Sequence, residues 1–339
     1  MTSFSLGGTD AAFDICGLGM AIVDIIAESN EAFLSSHKIS KGVMTLVDEA
    51  RADFLYGRIG PAVETSGGSV ANTVAGVAAL GGKPAFVGKV RNDQLGTIFR
   101  HDLRALNVHF ATPPATEGPA TARCLILVTP DAQRSMNTYL GAAGEMTSAD
   151  IDMDIVRNSK IVFLEGYLFD KPAAQAALRL AGQTAHAAKR LVALSLSDPF
   201  CVDRHRSAFR ELVKNETDIL LANEHELMSL YQTSTFEKAM TAAKADCHLV
   251  VGTRSAAGAV IACNSETVTI AAEPVEQVVD STGAGDLFAA GFLYGLTHGH
   301  DLATSGRLGA LAAAEIISHY GPRPQHSLKD FVKQKGLKI

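Results

Sequence analysis

The segment DSTGAGD, residues 280–286, is the most informative part of the chain, because an apolar run at 287–296 follows it directly. Its glycines leave backbone N–H groups uncovered at the start of a predicted helix, and such a turn can hold an anion. Asp286 falls in the first turn, where a carboxylate can take a proton from a hydroxyl group beside that anion. The alternative is an ordinary tight turn whose Asp favours a helix N-terminus.

Outward from this segment, short apolar runs alternate with longer alanine-rich stretches, above all from residue 160 onward. The runs predict buried strands and the alanine-rich stretches predict helices. This order predicts an α/β fold with a mostly parallel central sheet and helices on both faces. The candidate strands are 13–18, 83–87, 161–164, 190–195, 219–222 and 247–251, and the candidate helices are 69–80, 172–188, 207–213, 224–230 and 235–243.

Two stretches, about 21–66 and 108–139, break this alternation with turn-rich or alternating sequence. We expect them to form a small β-rich lid that is inserted discontinuously into the core. The sequence shows no internal repeat and no Pro/Ser-rich linker, so residues 1–339 are expected to form one core domain with that lid.

Composition excludes several classes of function. The chain has 30 basic and 36 acidic residues, a net charge of −6, and no basic run that could follow a nucleic acid backbone. Five scattered cysteines without a CxxC pair disfavour both a disulfide framework and a cysteine zinc site. No apolar run approaches the roughly 20 residues that span a bilayer, and residues 1–14 do not resemble a secretory signal. We therefore expect a cytoplasmic protein without nucleic acid or membrane partners.

A second motif, SGGSVANT at 66–73, precedes a predicted helix. Its paired glycines, Gly67 and Gly68, allow close approach to a ligand, and Asn72 offers both a donor and an acceptor. A glycine-rich helix start with a polar Asn is the alternative. Upstream, Asp24 lies just beyond the first predicted strand, where a carboxylate can accept hydrogen bonds from vicinal hydroxyls; otherwise it is a solvated loop acid.

Two further segments follow predicted strands, at the sheet edge where open α/β folds bind ligands. Asn223 and Glu226 suit oxygen-only, water-retaining coordination of Mg²⁺, although an Asn N-cap with first-turn acids explains the same pattern. The segment GTRSAAG, residues 252–258, has small residues that could lie against a nucleotide, or it could be a glycine-bounded hairpin.

These segments together resemble the signatures of the ribokinase-like, or PfkB, family of carbohydrate and nucleoside kinases, over essentially the whole chain. The resemblance implies a three-layer α/β/α sandwich, ATP and Mg²⁺ as cofactors, and Asp286 as catalytic base. It implies the following site residues: Gly283, Ala284 and Gly285 for the anion hole; Asp24, Gly67, Gly68 and Asn72 for the substrate; Asn223, Gly252, Thr253, Gly258 and Thr282 for ATP and its phosphates; Glu226 with Asn223 for Mg²⁺ through water; and Asp280 for a monovalent cation such as K⁺.

The substrate is a separate question. Residues 194–200, ending in SDPF, and the tail 314–324 resemble the adenosine kinase branch, in which a Ser-x-Pro-Phe turn puts an aromatic ring beside the purine. Phe200 is therefore expected to stack on a purine, with Tyr167 and Phe169 nearby. Arg134, in a predicted lid strand, is expected to clamp the γ-phosphate; an exposed hairpin Arg is the alternative. The expected reaction is phosphorylation of a nucleoside 5′-hydroxyl, adenosine to AMP, by a monomer or homodimer. A sugar kinase for ribose, fructose or a keto-deoxy sugar acid, and a non-catalytic nucleoside- or sugar-binding regulator, remain open.

Overall fold

A mostly parallel eight-stranded sheet forms the centre of the molecule in the computed structural model, which describes residues 10–131 and 133–339. The last two strands at one edge are antiparallel. The prediction that residues 1–14 carry no secretory signal falls largely outside the described residues. From edge to edge the strands are β13 (Glu266–Ile270), β12 (Ala259–Cys263), β11 (Leu249–Thr253), β10 (Ile219–Asn223), β9 (Leu191–Ser195), β8 (Ser159–Glu165), β1 (Phe13–Leu18) and β5 (Pro84–Val87).

A second, five-stranded sheet takes its strands from the two stretches that break the alternation of strands and helices. It is mixed: β2 pairs antiparallel with β4 and parallel with β6, and β6 pairs antiparallel with β7. Its order is β3 (Met44–Leu46), β7 (Arg134–Tyr139), β6 (Ala122–Val128), β2 (Ile22–Glu28) and β4 (Ala62–Gly67).

Helices cover both faces of the large sheet, as the alternation of side chains along its strands requires. Ile15 and Phe163 pack into one apolar core, whereas their neighbours Cys16 and Val162 pack into another on the opposite face. The three-layer α/β/α prediction is thus confirmed. The helices are α1 (Glu31–Ser36), α2 (Glu49–Tyr56), α3 (Ser69–Ala79), α4 (Gln94–Ala105), α5 (Met153–Arg157), α6 (Pro172–Ala187), α7 (Pro199–Glu216), α8 (Glu224–Tyr231), α9 (Phe236–Asp246), α10 (Ala284–Thr297), α11 (Leu302–Ile316) and α12 (Leu328–Gln334).

The predicted elements all exist, and the largest error concerns α7. We expected a helix at 207–213, but α7 begins at Pro199. Asp198 is its N-cap and accepts hydrogen bonds from the Phe200 and Cys201 amides, and a proline suits the first helical position. The SDPF segment is therefore a helix start and not a free turn.

Close packing of α10 against its neighbours fixes the helix that carries Asp286. A Cβ on Gly76 of α3 would lie 2.6 Å from the Cβ of Ala290, and one on Gly291 would lie 2.4 Å from the Leu308 carbonyl oxygen of α11. Glycine at these positions lets α3 and α11 approach α10 directly. Within 10–131 and 133–339, none of the helices is both long enough and apolar enough to cross a membrane.

Candidate active site

The 280–286 segment forms a turn that leads into α10. Gly283 is the N-cap and adopts a left-handed conformation, φ +80°, which favours glycine. The first N–H groups of a helix have no partner within the helix, and a Cβ on Gly285 would meet no atom within 4 Å. The Ala284 N–H donates to the Ser281 carbonyl oxygen at 3.2 Å, and Gly285 has free space where a side chain would stand; the start of α10 can thus be approached by a ligand, as an anion hole requires.

Asp286 lies in the first turn of α10 and lines a cavity of about 230 Å³. Ser69 Oγ donates to its Oδ1 at 2.6 Å, and Asn72 Nδ2 donates to its Oδ2 at 2.8 Å. Burial raises the pKa of Asp286, while these two hydrogen bonds and the charge of Arg323 oppose the rise. The carboxylate is therefore held in a fixed orientation beside the cavity by two donors from α3.

Asp24 is buried on β2, next to the glycine pair of the second motif. Burial raises its pKa to about 6, and the charges of Arg323 and Arg134 act against the rise. A Cβ on Gly67 would lie 2.3 Å from Asp24 Oδ2, and one on Gly68 would lie 2.3 Å from the Met20 carbonyl oxygen. The two glycines thus make room for the Asp24 carboxylate and the neighbouring backbone.

Glu165, at the end of β8, is a site residue that the sequence analysis missed. Its Oε2 accepts hydrogen bonds from the Met20 amide at 3.2 Å and the Val70 amide at 3.1 Å. Burial raises its pKa to about 8, with the negative charge of Asp286 adding to the rise. Its place at the carboxyl end of a central parallel strand was the signal that could have found it.

Arg323 was missed as well. It lies in the GPRP segment between α11 and α12, and its Nη1 donates to Asn72 Oδ1. Its Nη2 donates to the Ser66 carbonyl oxygen at 2.9 Å and to Ser66 Oγ at 3.1 Å. Burial lowers its pKa to about 10, although Asp24 and Asp286 raise it. No local pattern marks this residue, because its partners lie some 250 positions earlier in the chain.

Asn223 and Glu226 form a capping box at the start of α8. The Asn223 amide donates to Glu226 Oε2 at 2.8 Å, its Nδ2 donates to Oε1 at 2.6 Å, and the Glu226 amide donates to Asn223 Oδ1 at 2.9 Å. Burial raises the pKa of Glu226 to about 7. Both residues also line the cavity beside Asp286. The helix-cap interpretation is therefore correct, and it leaves the pair facing the site.

A larger cavity of about 760 Å³ adjoins the first and shares Asn223, Thr253 and Gly285 with it. Small apolar side chains form much of its wall, and Gly258 contributes to it. Gly252 lines neither cavity, and a Cβ there would lie 2.7 Å from the Phe236 ring, so glycine is needed for packing against α9. Its contact with ATP stays a prediction.

Arg134, at the start of β7, reaches across to the 280–286 segment. Its Nη1 lies 2.7 Å from Asp280 Oδ2 and donates to Thr282 Oγ1 at 2.7 Å. Asp280 also accepts from the Thr282 amide at 3.0 Å and from the Gly321 amide at 2.9 Å. The exposed-hairpin alternative for Arg134 is therefore wrong. Asp280 is already engaged by these donors, so its binding of a monovalent cation stays a prediction.

The three aromatic residues predicted to contact the substrate differ in their exposure. Phe169 is fully buried and stacks on Phe209 with ring centroids 4.2 Å apart, so it presents no face to a ligand and that prediction is wrong. Tyr167 is half-buried, and its hydroxyl donates to the Ser197 carbonyl oxygen at 3.2 Å. Phe200 is 74% exposed and lines neither cavity. Purine stacking on Phe200 stays a prediction.

The chain is similar to known carbohydrate and adenosine kinases. The sequence profile of the pfkB family carbohydrate kinases matches residues 55–328. A probable sugar kinase from Rhizobium etli CFN 42 is 49% identical, with a TM-score of 0.91 over 97% of this chain and all of that one. Adenosine kinase from Sinorhizobium meliloti is 50% identical, with a TM-score of 0.89 over 96% of this chain and all of that one. Adenosine kinase from Saccharomyces cerevisiae is 27% identical over 327 residues, 90% of this chain and 95% of the yeast protein.

Proposed function

The chain belongs to the pfkB family of carbohydrate kinases, and from this premise we propose that it transfers the γ-phosphate of ATP to the 5′-hydroxyl of a purine nucleoside, converting adenosine to AMP. Members of the family phosphorylate a hydroxyl group of a sugar or nucleoside, so the chain is a phosphotransferase with an alcohol acceptor. The observation that carries the proposal is the Asp286 carboxylate, oriented by Ser69 and Asn72 beside a cavity and one residue after the open Gly285. The names of the S. meliloti and yeast proteins favour adenosine over a bare sugar.

In the proposed reaction, Asp286 takes the proton of the 5′-hydroxyl as that oxygen forms a bond to the γ-phosphorus. The bond between the γ-phosphorus and the β–γ bridging oxygen breaks, and ADP leaves with that electron pair. The backbone N–H groups of Gly283, Ala284 and Gly285 are proposed to stabilise the negative charge on the transferring oxygens, and that of Ala284 would exchange the Ser281 carbonyl oxygen for a phosphate oxygen. Ser69 and Asn72 keep the carboxylate pointed at the hydroxyl, which lowers the entropic part of the barrier.

Asp24 and Asn72 are proposed to hold the ribose. Asp24 is buried, and with a pKa of about 6 it is mostly ionised near neutral pH, so it can accept hydrogen bonds from two hydroxyls. Its place on β2 puts it in the second sheet, whereas Asn72 belongs to α3 of the core. The substrate would therefore bridge the two sheets.

The Asn223–Glu226 pair is proposed to position Mg²⁺ through water. Both Glu226 oxygens already accept protein hydrogen bonds, and no cluster of three or more His, Cys, Asp or Glu suited to a metal occurs in residues 10–131 and 133–339. The residues thus fit an ion that keeps its waters, as Mg²⁺ commonly does. When bound, such an ion would neutralise negative charge on the phosphates.

The second sheet is proposed to act as the lid predicted from segments 21–66 and 108–139. It supplies Asp24 from β2 and Arg134 from β7, and Arg134 contacts the 280–286 segment. A lid that closes on the nucleoside would exclude water and suppress hydrolysis of ATP. Arg134 would then be placed to exchange Asp280 for the γ-phosphate.

A reducing compartment, the cytoplasm, is the proposed location. All five cysteines are unpaired and buried, and burial raises the pKa of the Cys16 and Cys124 thiols to about 12, which keeps them protonated and unreactive.

The proposed function is tested with purified protein, ATP and Mg²⁺ and a panel of adenosine, inosine, guanosine, ribose, fructose and 5-dehydro-2-deoxygluconate. We expect the highest kcat/KM with adenosine, and mass spectrometry should show AMP as the product. A higher kcat/KM with a sugar would replace the nucleoside by a sugar substrate, the alternative that the name of the R. etli protein favours. Binding of a nucleoside without any turnover would refute the kinase and leave the regulator.

A further inference from the structure

Arg323 stands in a loop that is pinned against the proposed catalytic turn. Pro322 and Pro324 flank it and restrict the backbone on both sides. The Gly321 amide donates to Asp280 Oδ2 at 2.9 Å, and Pro322 is so close to the turn that a Cβ on Gly283 would lie 3.1 Å from the proline Cβ. The Arg323 side chain is therefore delivered to the site from a rigid support.

The Asn72 amide is held at both ends, by Arg323 at its oxygen and by Asp286 at its nitrogen. A guanidinium has donors and no acceptor, so only the Oδ1 end of the amide can face Arg323. That orientation turns Nδ2 towards Asp286, and the observed hydrogen bonds are those two: Arg323 Nη1 to Asn72 Oδ1, and Asn72 Nδ2 to Asp286 Oδ2 at 2.8 Å. The ionised Asp286 carboxylate, which only accepts hydrogen bonds, favours the same orientation. Without the guanidinium, Asn72 would lose its second hydrogen bond and with it the contact that holds the Oδ1 end of the amide in place.

We propose that Arg323 is a positioning residue for phosphoryl transfer, which acts through Asn72 to fix the orientation of the Asp286 carboxylate. The inference rests on the proposed kinase function, but not on whether the acceptor is a nucleoside or a sugar. Arg323 also joins the two parts of the substrate site, because Nη2 holds Ser66, the residue before the glycine pair. One side chain thus holds α3 and the end of β4 in a fixed relation.

The charge of Arg323 gives the proposal a second measurable consequence, a change in the pH dependence of catalysis. It lowers the pKa of Asp286 against the effect of burial, so its removal should raise that pKa further. Asp286 must be ionised to act as base, and the acid limb of kcat/KM should therefore move to higher pH. The groups that face or couple with Asp286 are Ser69 and Asn72 of α3, Asp24 of β2, Glu165 of β8, Tyr167 just after it, Glu226 of α8 and Arg323 itself.

The test compares Arg323→Met and Arg323→Lys with Arg157→Met, a control that removes an exposed arginine whose Nη1 lies 2.6 Å from Asp154 Oδ1, one helix turn earlier. We expect Arg323→Met to lower kcat by about 10²-fold, the usual effect of misplacing a reacting group, and to move the acid limb upward. Lysine keeps the charge but lacks the fork that spans Asn72 and Ser66, so Arg323→Lys should restore the acid limb and only part of kcat. Arg157→Met should match the wild type.

The route through Asn72 is tested with the double variant. If Arg323 acts through Asn72, Asn72→Ala/Arg323→Met should have the kcat of Asn72→Ala alone within about threefold. Independent, multiplying losses would overturn the inference, and so would an Arg323→Met enzyme that changes KM alone. Should Arg323→Met fail to fold by circular dichroism, an Arg323→Lys variant with wild-type kcat would overturn it. An inactive wild type would instead refute the proposed kinase function.

Discussion

Replacing Asp286 by asparagine should greatly lower turnover and leave the fold intact. Asparagine matches aspartate in shape, and its oxygen can accept the hydrogen bond from Asn72 Nδ2 while its own NH₂ group donates to Ser69 Oγ. The Ser69 hydroxyl only has to rotate its proton away from residue 286. Both contacts that orient the side chain, 2.6 Å and 2.8 Å in length, thus survive the change.

The size of the effect follows from what the substitution removes. General base catalysis contributes on the order of 10²–10⁴-fold to a rate, so kcat should fall by that factor, about 3–5 kcal/mol in activation free energy. The thermal stability, in contrast to kcat, should stay the same or rise. Burial raises the pKa of Asp286 because it disfavours the charged form, and a neutral amide avoids that desolvation. We therefore expect Asp286→Asn to unfold at an equal or higher temperature than the wild type.

The measurement is kcat with MgATP and adenosine, together with the dissociation constant of adenosine by calorimetry and the thermal midpoint. Asp301→Asn is the matched control: Asp301 is an exposed N-cap of α11 that accepts from the Thr304 amide, and asparagine caps a helix as well as aspartate does. An Asp286→Asn enzyme with adenosine affinity within threefold of wild type and kcat within tenfold would show that another group takes the proton.

Three further variants test other parts of the site. Gly67→Ala should raise the KM for the nucleoside by about 10–100-fold, because its Cβ would displace the Asp24 carboxylate and a hydrogen bond to a charged group contributes about 1.5–3 kcal/mol. The control is Gly60→Ala, whose Cβ would meet nothing within 4 Å and which should leave KM unchanged. Equal KM values for the two variants would contradict the steric argument. Arg134→Met should raise the KM for ATP about tenfold or more through loss of a charge-assisted contact. Initial rates at varied ATP concentration measure this KM, and an unchanged value would contradict the prediction. Burial raises the pKa of Glu165 to about 8, so the stability that the protonated side chain contributes is fully present below the ordinary pKa of a glutamate and is lost as the pH rises to about 8. The advantage of Glu165→Gln over wild type in thermal midpoint should therefore be several degrees larger at pH 9 than at pH 5. A difference between the two proteins that does not change with pH would disprove this prediction.

The sequence was sufficient for the parts of the fold that depend on local pattern. The strand at 13–18 and the helix at 69–80 are predominantly apolar, and the structure has Phe13–Leu18 and Ser69–Ala79. The antiparallel strands β12 and β13 were not predicted, although β12 is mostly buried; β13, Glu266–Ile270, is a largely exposed edge strand on which burial imposes no strong pattern. Helix α7 was misjudged because its capping residues resembled a turn.

The same distinction between local pattern and tertiary contact applies to the residues of the site. Asp286 and Asn72 could be found because each lies in a glycine-marked segment that opens a helix. Phe169 was misassigned, since a sequence cannot show that its ring stacks on Phe209 in the core. Arg323 was overlooked for the converse reason: its function depends on partners that only the tertiary fold brings to it.

The distribution of charge in the site explains why such long-range contacts matter. Burial raises the pKa of Asp286 and of three carboxyl groups whose pKa its negative charge raises further: Asp24, Glu165 and Glu226. Carboxylates gathered in this way destabilise one another, an arrangement typical of functional sites. The charges of Arg134 and Arg323 oppose the rise at Asp24, and that of Arg323 opposes it at Asp286. Arg134 comes from the second sheet and Arg323 from the loop between α11 and α12. The charge that favours ionisation of Asp286, the proposed base, therefore depends on a distant segment being docked, which couples the assembly of the fold to the ionisation of Asp286.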